Sequence, residues 1–163
     1  MATLERIKVE SGNGLDAIDR KILSLLQDNA KMAQAEVAKE VGLTAPSVNE
    51  RIRKLERAGY IRAYVAILDE RKLGHDITAF VEIFVEHPKF EKAFIEAASA
   101  LDEVLECHHI TGEFSLLLKV RVPDMTAFRR LLIEKLNTLR GVRQTRTVMV
   151  LATAKEQRRL KLD

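Results

Sequence analysis

At 163 residues, 47% hydrophobic and 31% charged, the chain has the balance of one ordinary globular domain or two small ones, which excludes disorder over its whole length. Lys and Arg number 27 against 24 Asp and Glu, so the net charge of +3 identifies no partner by itself. No apolar run approaches the roughly 18–20 residues of a membrane span, "MATLERIKVESGNG" lacks the apolar core of a secretory signal, and the single Cys107 excludes a disulfide framework or a Cys-rich zinc site. A cytoplasmic protein held together by packing is expected.

"LDAIDRKILSLLQ" sets Leu15, Ile18, Ile22, Leu25 and Leu26 at helical spacing, with Asp16 available as N-cap. "AQAEVAKEVG" predicts a short second helix with Val37, Ala38 and Val41 inward, stopped by Gly42. Its start is poorly capped, because Ala33 has no side-chain oxygen, a deficit of about 1 kcal/mol. Thr44 caps a third helix that tolerates Pro46 in its first turn, where amides have no intrahelical acceptor to lose. Val48, Ile52 and Leu55 form its inward stripe. Pro46, Ser47, Glu50, Arg53, Lys54 and Arg57 face the other way, Asn49 and Arg51 lie at the flanks, and Gly59 ends the helix.

Taken alone, the run of Arg51, Arg53, Lys54, Arg57 and Arg62 reads as a solvated face with i to i+4 ion pairs. Its position on the second helix of a short helix pair, behind polar residues at the helix start, is the helix-turn-helix arrangement. Such a helix fits the major groove of DNA.

After Gly59 the period changes to two in "YIRAYVAILD", which predicts an extended wing or hinge, and "ERKLGHD" breaks it. "ITAFVEIFVE" predicts a strand with Ile77, Ala79, Val81, Ile83 and Val85 on one side. Pro88 opens a helix carrying Phe90, Phe94, Ala97 and Leu101. "VLECHHIT" and "FSLLLKVRV" are strands joined by a tight turn at Gly112-Glu113. Pro123 introduces a helix through Phe128, Leu131, Leu132, Leu136 and Leu139, and Gly141 ends it before the strand "VRQTRTVMVL". The order strand, helix, strand, strand, helix, strand is the ferredoxin-like plan, so the fold class is α+β. The expected domains are a helix-turn-helix unit over 1–59, a wing or hinge over 60–75, a ferredoxin-like unit over 76–152 and a charged tail over 153–163. Phe80 and Phe84 point away from the Ile and Val set, so both strand faces look apolar and dimerisation through the sheet is expected.

Other signals carry less. Adjacent strand residues point to opposite faces, which leaves only Cys107 and His109 of "CHH" together, with no second ligand pair; no metal site is expected. Ser115 lacks the glycines of a nucleophile elbow and no phosphate-binding Gly-rich loop exists, so neither catalysis nor a cofactor is expected. "FRRLLIEKLNTL" is too brief for a coiled coil and reads as a core helix. The cations of "AKEQRRLKLD" read as a solvated end, with contact to wrapped DNA as the alternative.

In order and spacing, "LDAIDRKIL", "EVAKEVGLTAPSVNERIRKLERAGYI", "AYVAILDERKLG", "ECHHITGEFSLLLKVRVPDM" and "LRGVRQTRTVMVL" resemble the Lrp/AsnC family of feast/famine regulators, over about Leu15 to Leu151. The resemblance implies a cytoplasmic transcription regulator that binds double-stranded DNA, dimerises through its sheet domain and often assembles into octameric rings. It also implies tuning by small molecules, commonly amino acids. Ser47, Asn49, Glu50 and Arg51 then lie where base edges are reached, while Arg53, Lys54, Arg57 and Arg62 hold phosphates. At the strand turn the family commonly has Gly-Asp and, after one residue, Asp-Tyr. Here Gly112 is retained, Glu113 replaces the first acid, and Ser115 and Leu116 replace the second acid and the tyrosine. An effector site between dimers would use Thr111, Gly112, Glu113 and Ser115. The alternatives are an architectural protein that wraps DNA with little sequence preference, and a metabolite-binding oligomer whose winged unit contacts only protein.

Overall fold

A computed structural model of the chain describes residues 14–162. The amino-terminal stretch "MATLERIKVESGNG" lies outside the described residues, apart from Gly14. The chain divides into two compact units, Ile67–Glu156 and the residues on either side of it.

The helical unit contains α1 (Ala17–Asp28), α2 (Gln34–Val41) and α3 (Ala45–Arg57). Its core is the predicted apolar set with Leu23 added: Ile22, Leu23, Val37, Ala38, Val48, Ile52 and Leu55 are buried, with Leu15, Ile18, Leu25, Leu26 and Val41 packed against them. Asp16 caps α1 by accepting the Asp19 N–H at 2.7 Å, and Asp19 returns the bond at 3.3 Å from the Asp16 N–H. At α2 only the return half exists, from the Ala33 N–H to Glu36 Oε2 at 3.3 Å. Gly42, at φ 68°, adopts the left-handed conformation that lets the Leu43 N–H reach the Ala38 carbonyl at 2.9 Å. Thr44 Oγ1 accepts from the Ser47 N–H at 3.4 Å and caps α3.

One feature refines the reading of a wing or hinge, and a second differs from expectation. Residues 62–69 carry no regular secondary structure, because a period-two pattern becomes a strand only where a neighbour supplies the ladder, and no described strand does so here. Tyr64, Val65, Ile67 and Leu68 are consequently exposed, Ile67 by 83%. The charged end is not wholly solvated either, since Gln157–Asp163 groups with the helices. Gln27 Oε1 accepts the Leu160 N–H at 2.7 Å, its Nε2 donates to the Leu160 carbonyl at 3.1 Å, Arg159 pairs with Asp28 at 3.1 Å, and Leu162 packs on the core.

The second unit is a four-stranded antiparallel sheet ordered β2-β3-β1-β4, built from β1 (Ile77–Val85), β2 (Val104–His109), β3 (Leu116–Val122) and β4 (Val142–Met149). Helices α4 (Glu91–Ser99) and α5 (Met125–Arg130) cover one face, the ferredoxin-like α+β arrangement. Ala79, Val81 and Ile83 of β1 and Leu116, Leu118 and Val120 of β3 meet Phe94, Ala98, Phe128, Leu131 and Leu136 in the core.

Local details depart from the sequence reading. Pro88 opens a 3₁₀ turn and α4 begins only at Glu91, so Ala98 rather than Ala97 is buried and Leu101 lies past the helix end. Asp124 caps α5, accepting the Ala127 N–H at 2.7 Å, and the helix continues as a π turn over Leu131–Leu136. The Gly112-Glu113 turn is a four-residue loop closed by the Ile110 N–H on the Ser115 carbonyl at 3.0 Å. The open sheet face is mixed rather than apolar: strand alternation puts Glu82 between Phe80 and Phe84, and Glu82 pairs with Arg146 across the β1–β4 register.

Candidate nucleic-acid interface and effector loop

The outward side of α3 follows from its period. With Val48, Ile52 and Leu55 buried, Ser47, Glu50, Arg53, Lys54 and Arg57 are exposed on the opposite side. Ser47 Oγ lies 2.9 Å from Thr44 Oγ1 at the helix start. Half-buried Asn49 accepts from Gln34 Nε2 at 3.3 Å, which keeps its own amide N–H groups available as donors. Gln34 opens α2, and its tie to Asn49 was not legible beforehand because the two are 15 residues apart.

Lys54 forms an exposed i to i+4 pair with Glu50 at 3.3 Å. Arg53, Arg57 and Arg62 have no carboxylate partner among the described residues. Arg62 lies beyond the helix, in the irregular segment. There the Tyr64 hydroxyl donates to Glu56 Oε1 at 3.0 Å, and desolvation of the hydroxyl, then this hydrogen bond and the Glu56 charge, push its pKa up to about 12 although the residue as a whole is exposed.

Arg51, expected among the base readers, is paired within the helical unit: its Nη1 lies 2.6 Å from Asp16 Oδ2 and 2.7 Å from Asp19 Oδ1. Two carboxylates at the start of α1 hold it away from the outward face. The structure therefore gathers Ser47, Glu50, Arg53, Lys54 and Arg57 on one exposed side, with Asn49 half-buried at its flank and Arg62 just beyond the helix, and ties Arg51 to α1.

Of the predicted effector residues, Thr111, Gly112 and Glu113 share the exposed β2–β3 loop, where Gly112 holds φ 125°, a conformation open to glycine and strained for other residues. Ser115 does not join them: its N–H donates to the Ile83 carbonyl at 3.2 Å, and its Oγ is buried without a hydrogen-bond partner among the described residues. Sequence reasoning missed Phe114, Glu82 and Arg146. The Arg146 guanidinium lies 4.7 Å above the Phe114 ring, pairs with Glu82 and feels the Glu113 charge. That pairing holds the Glu82 carboxyl below the usual carboxylate range. Only the strand register brings 82 opposite 146, so no local motif announces it.

His108 pairs with Glu106 at 3.0 Å, while burial pushes the Cys107 thiol up. Among the described residues no group of three His, Cys, Asp or Glu side chains is arranged to hold a metal ion, and no helix is long and apolar enough to cross a membrane.

Comparison with known proteins matches both units. Residues 15–62 fit a family model described as winged helix-turn-helix DNA-binding, and residues 78–160 one described as the Lrp/AsnC ligand binding domain. The leucine-responsive regulatory proteins of Escherichia coli K12 and of Klebsiella pneumoniae are each 43% identical over 155 residues, covering 94% of this chain and 94% of theirs. A Neisseria meningitidis transcriptional regulator solved in complex with L-Met superposes with a TM-score of 0.87 at 30% identity, covering 91% of this chain and 97% of that one. Escherichia coli AsnC gives 0.83 at 31% identity, covering 88% and 96%. With both units matched in order and nearly the full length aligned, the chain belongs to the Lrp/AsnC family of transcription regulators, and it is not an enzyme.

Proposed function

We propose that this regulator binds double-stranded DNA with sequence preference by inserting α3 in the major groove, and that an amino acid acting on its sheet domain modulates that binding. The observation that carries the DNA reading is the outward side of α3, where hydrogen-bonding Ser47, with Asn49 at its flank, precedes Arg53 and Arg57, cations without a carboxylate partner among the described residues. Hydrogen bonders at the leading end suit base edges, and cations further along suit phosphates. Selection of bound fragments from genomic DNA, with random duplex as competitor, tests it. Preferred fragments should bind at least about a thousandfold more tightly than random DNA at physiological salt. Equal affinity for both would make the protein an architectural wrapper instead.

The effector reading is supported by the likeness to the Neisseria protein, which was solved with L-Met. Here Glu113, the glycine-shaped loop at Gly112 and Thr111 offer a carboxylate for a ligand ammonium and backbone N–H groups for its carboxylate. Calorimetry with the proteinogenic amino acids should register binding that Glu113→Gln weakens; binding by none of them would remove the effector. The protein is taken to work in the cytoplasm as a homodimer that assembles further, to an octamer. Exposed Tyr64, Val65, Ile67 and Leu68 and the half-buried Phe80 and Phe84 support association, and sedimentation finding a stable monomer would refute it.

A further inference from the structure

We infer that Arg51 is a positioning residue, which sets the angle of α3 by clasping the capping box of α1 and so governs discrimination between DNA sequences without touching DNA. This rests on the proposed reading of α3 as the base-reading helix. The observation behind it is a complete division of four carboxylate oxygens. Asp16 Oδ1 accepts the Asp19 N–H at 2.7 Å and Asp19 Oδ2 accepts the Asp16 N–H at 3.3 Å, which closes the cap. The two oxygens left over, Asp16 Oδ2 and Asp19 Oδ1, both accept from Arg51 Nη1, at 2.6 and 2.7 Å. Every oxygen of the cap is used, and one nitrogen on α3 joins both acids.

Charge, and the burial of Asp19, make the clasp hard to leave. The Arg51 side chain is 31% exposed and that of Asp19 only 15%, while Asp16 stays open to solvent at 51%. A swing of the guanidinium toward a phosphate would leave two adjacent carboxylates without a cation, and would take Arg51 from charge-assisted bonds as short as such bonds become. Arg51 also sits one residue before Ile52 of the buried stripe, so fixing it fixes the rotation of the helix about that stripe. The outward residues Ser47, Glu50 and Lys54 then take their direction from an anchor on α1. Misaligned base-edge contacts cost discrimination, whereas phosphate contacts, made by flexible cations, tolerate the change.

The test measures binding to a preferred fragment and to random duplex across a potassium chloride series, for the full chain and for Arg51→Ala, Arg51→Lys, the double Asp16→Asn/Asp19→Asn, and the triple combination with Arg51→Ala. A positioning role predicts that Arg51→Ala and the double Asn variant each lower the ratio of specific to random affinity by about tenfold. It further predicts that the triple variant is no worse than either, that Arg51→Lys recovers most of the ratio, and that the salt slope does not change. The proposal is overturned if Arg51→Ala flattens the slope by about 0.9, the mark of a lost phosphate contact. It is equally overturned if the double Asn variant, with Arg51 released, keeps or raises the ratio. Failure of the unaltered protein to bind any duplex at low salt would instead remove the DNA reading beneath it.

Discussion

Replacing Arg53 and Arg57 by alanine should change how salt weakens DNA binding by a calculable amount. Both guanidinium groups stand on the outward side of α3 without a carboxylate partner among the described residues, so each can neutralise one phosphate, whereas Lys54 must first be drawn from Glu50. Each phosphate contact contributes about 0.9 to the slope of log affinity against log salt, so the double variant should lose about 1.8 for every α3 engaged. Between 50 and 200 mM salt, the loss of affinity of the double variant should then be about twelvefold smaller than that of the unaltered protein. Fluorescence anisotropy with a labelled duplex over a salt series reads this directly. The preference among sequences should change little, because phosphate contacts carry no sequence information. An unchanged slope would show that these arginines face solvent in the complex and that DNA lies elsewhere.

Leu55→Ala removes a buried side chain from the small helical core, and should cost about 2–5 kcal/mol in denaturant unfolding followed by circular dichroism. A cost below about 1 kcal/mol would mean that α3 is not anchored by this stripe. Gly141→Ala should destabilise the sheet unit, since a Cβ there would lie 2.5 Å from that of Phe90 and φ is 91°; an unchanged melting temperature would contradict that crowding. Acid should unfold the protein partly through Asp16, held low by the Asp19 N–H and by Arg51, and Glu82, held low by Arg146. Because folding depresses these values, the stability they supply is present above about pH 4 and is lost as pH falls through the depressed values. Glu82→Gln should therefore flatten the acid limb of a stability-against-pH curve, and an identical limb would exclude that pair as a source.

What could be read from the residues was whatever depends on near neighbours in the chain. Asp16, Thr44 and Gly42 announced the ends of helices because caps act within a few residues, and the stripe of Val48, Ile52 and Leu55 announced the face of α3 because it repeats with the helical turn. The strand order followed from alternation and turn residues in the same way. The outward groups of α3 were thus visible from sequence, and so was the turn at Gly112 between β2 and β3.

What the sequence could not decide were partnerships between distant residues. Arg51 looks like a base-reading cation at the flank of α3 until α1 folds against that helix and brings Asp16 and Asp19, 35 and 32 residues away, to its guanidinium. Glu82 and Arg146 meet only through strand register, and Leu162 reaches the helical core only after the chain has traversed the whole sheet unit. The segment after α3 has the alternation of a strand but lacks a described partner for its hydrogen bonds. Periodicity records which side of an element is apolar. Which charged group finds which counter-charge depends on the packing of elements far apart in the chain, and that belongs to the tertiary structure alone.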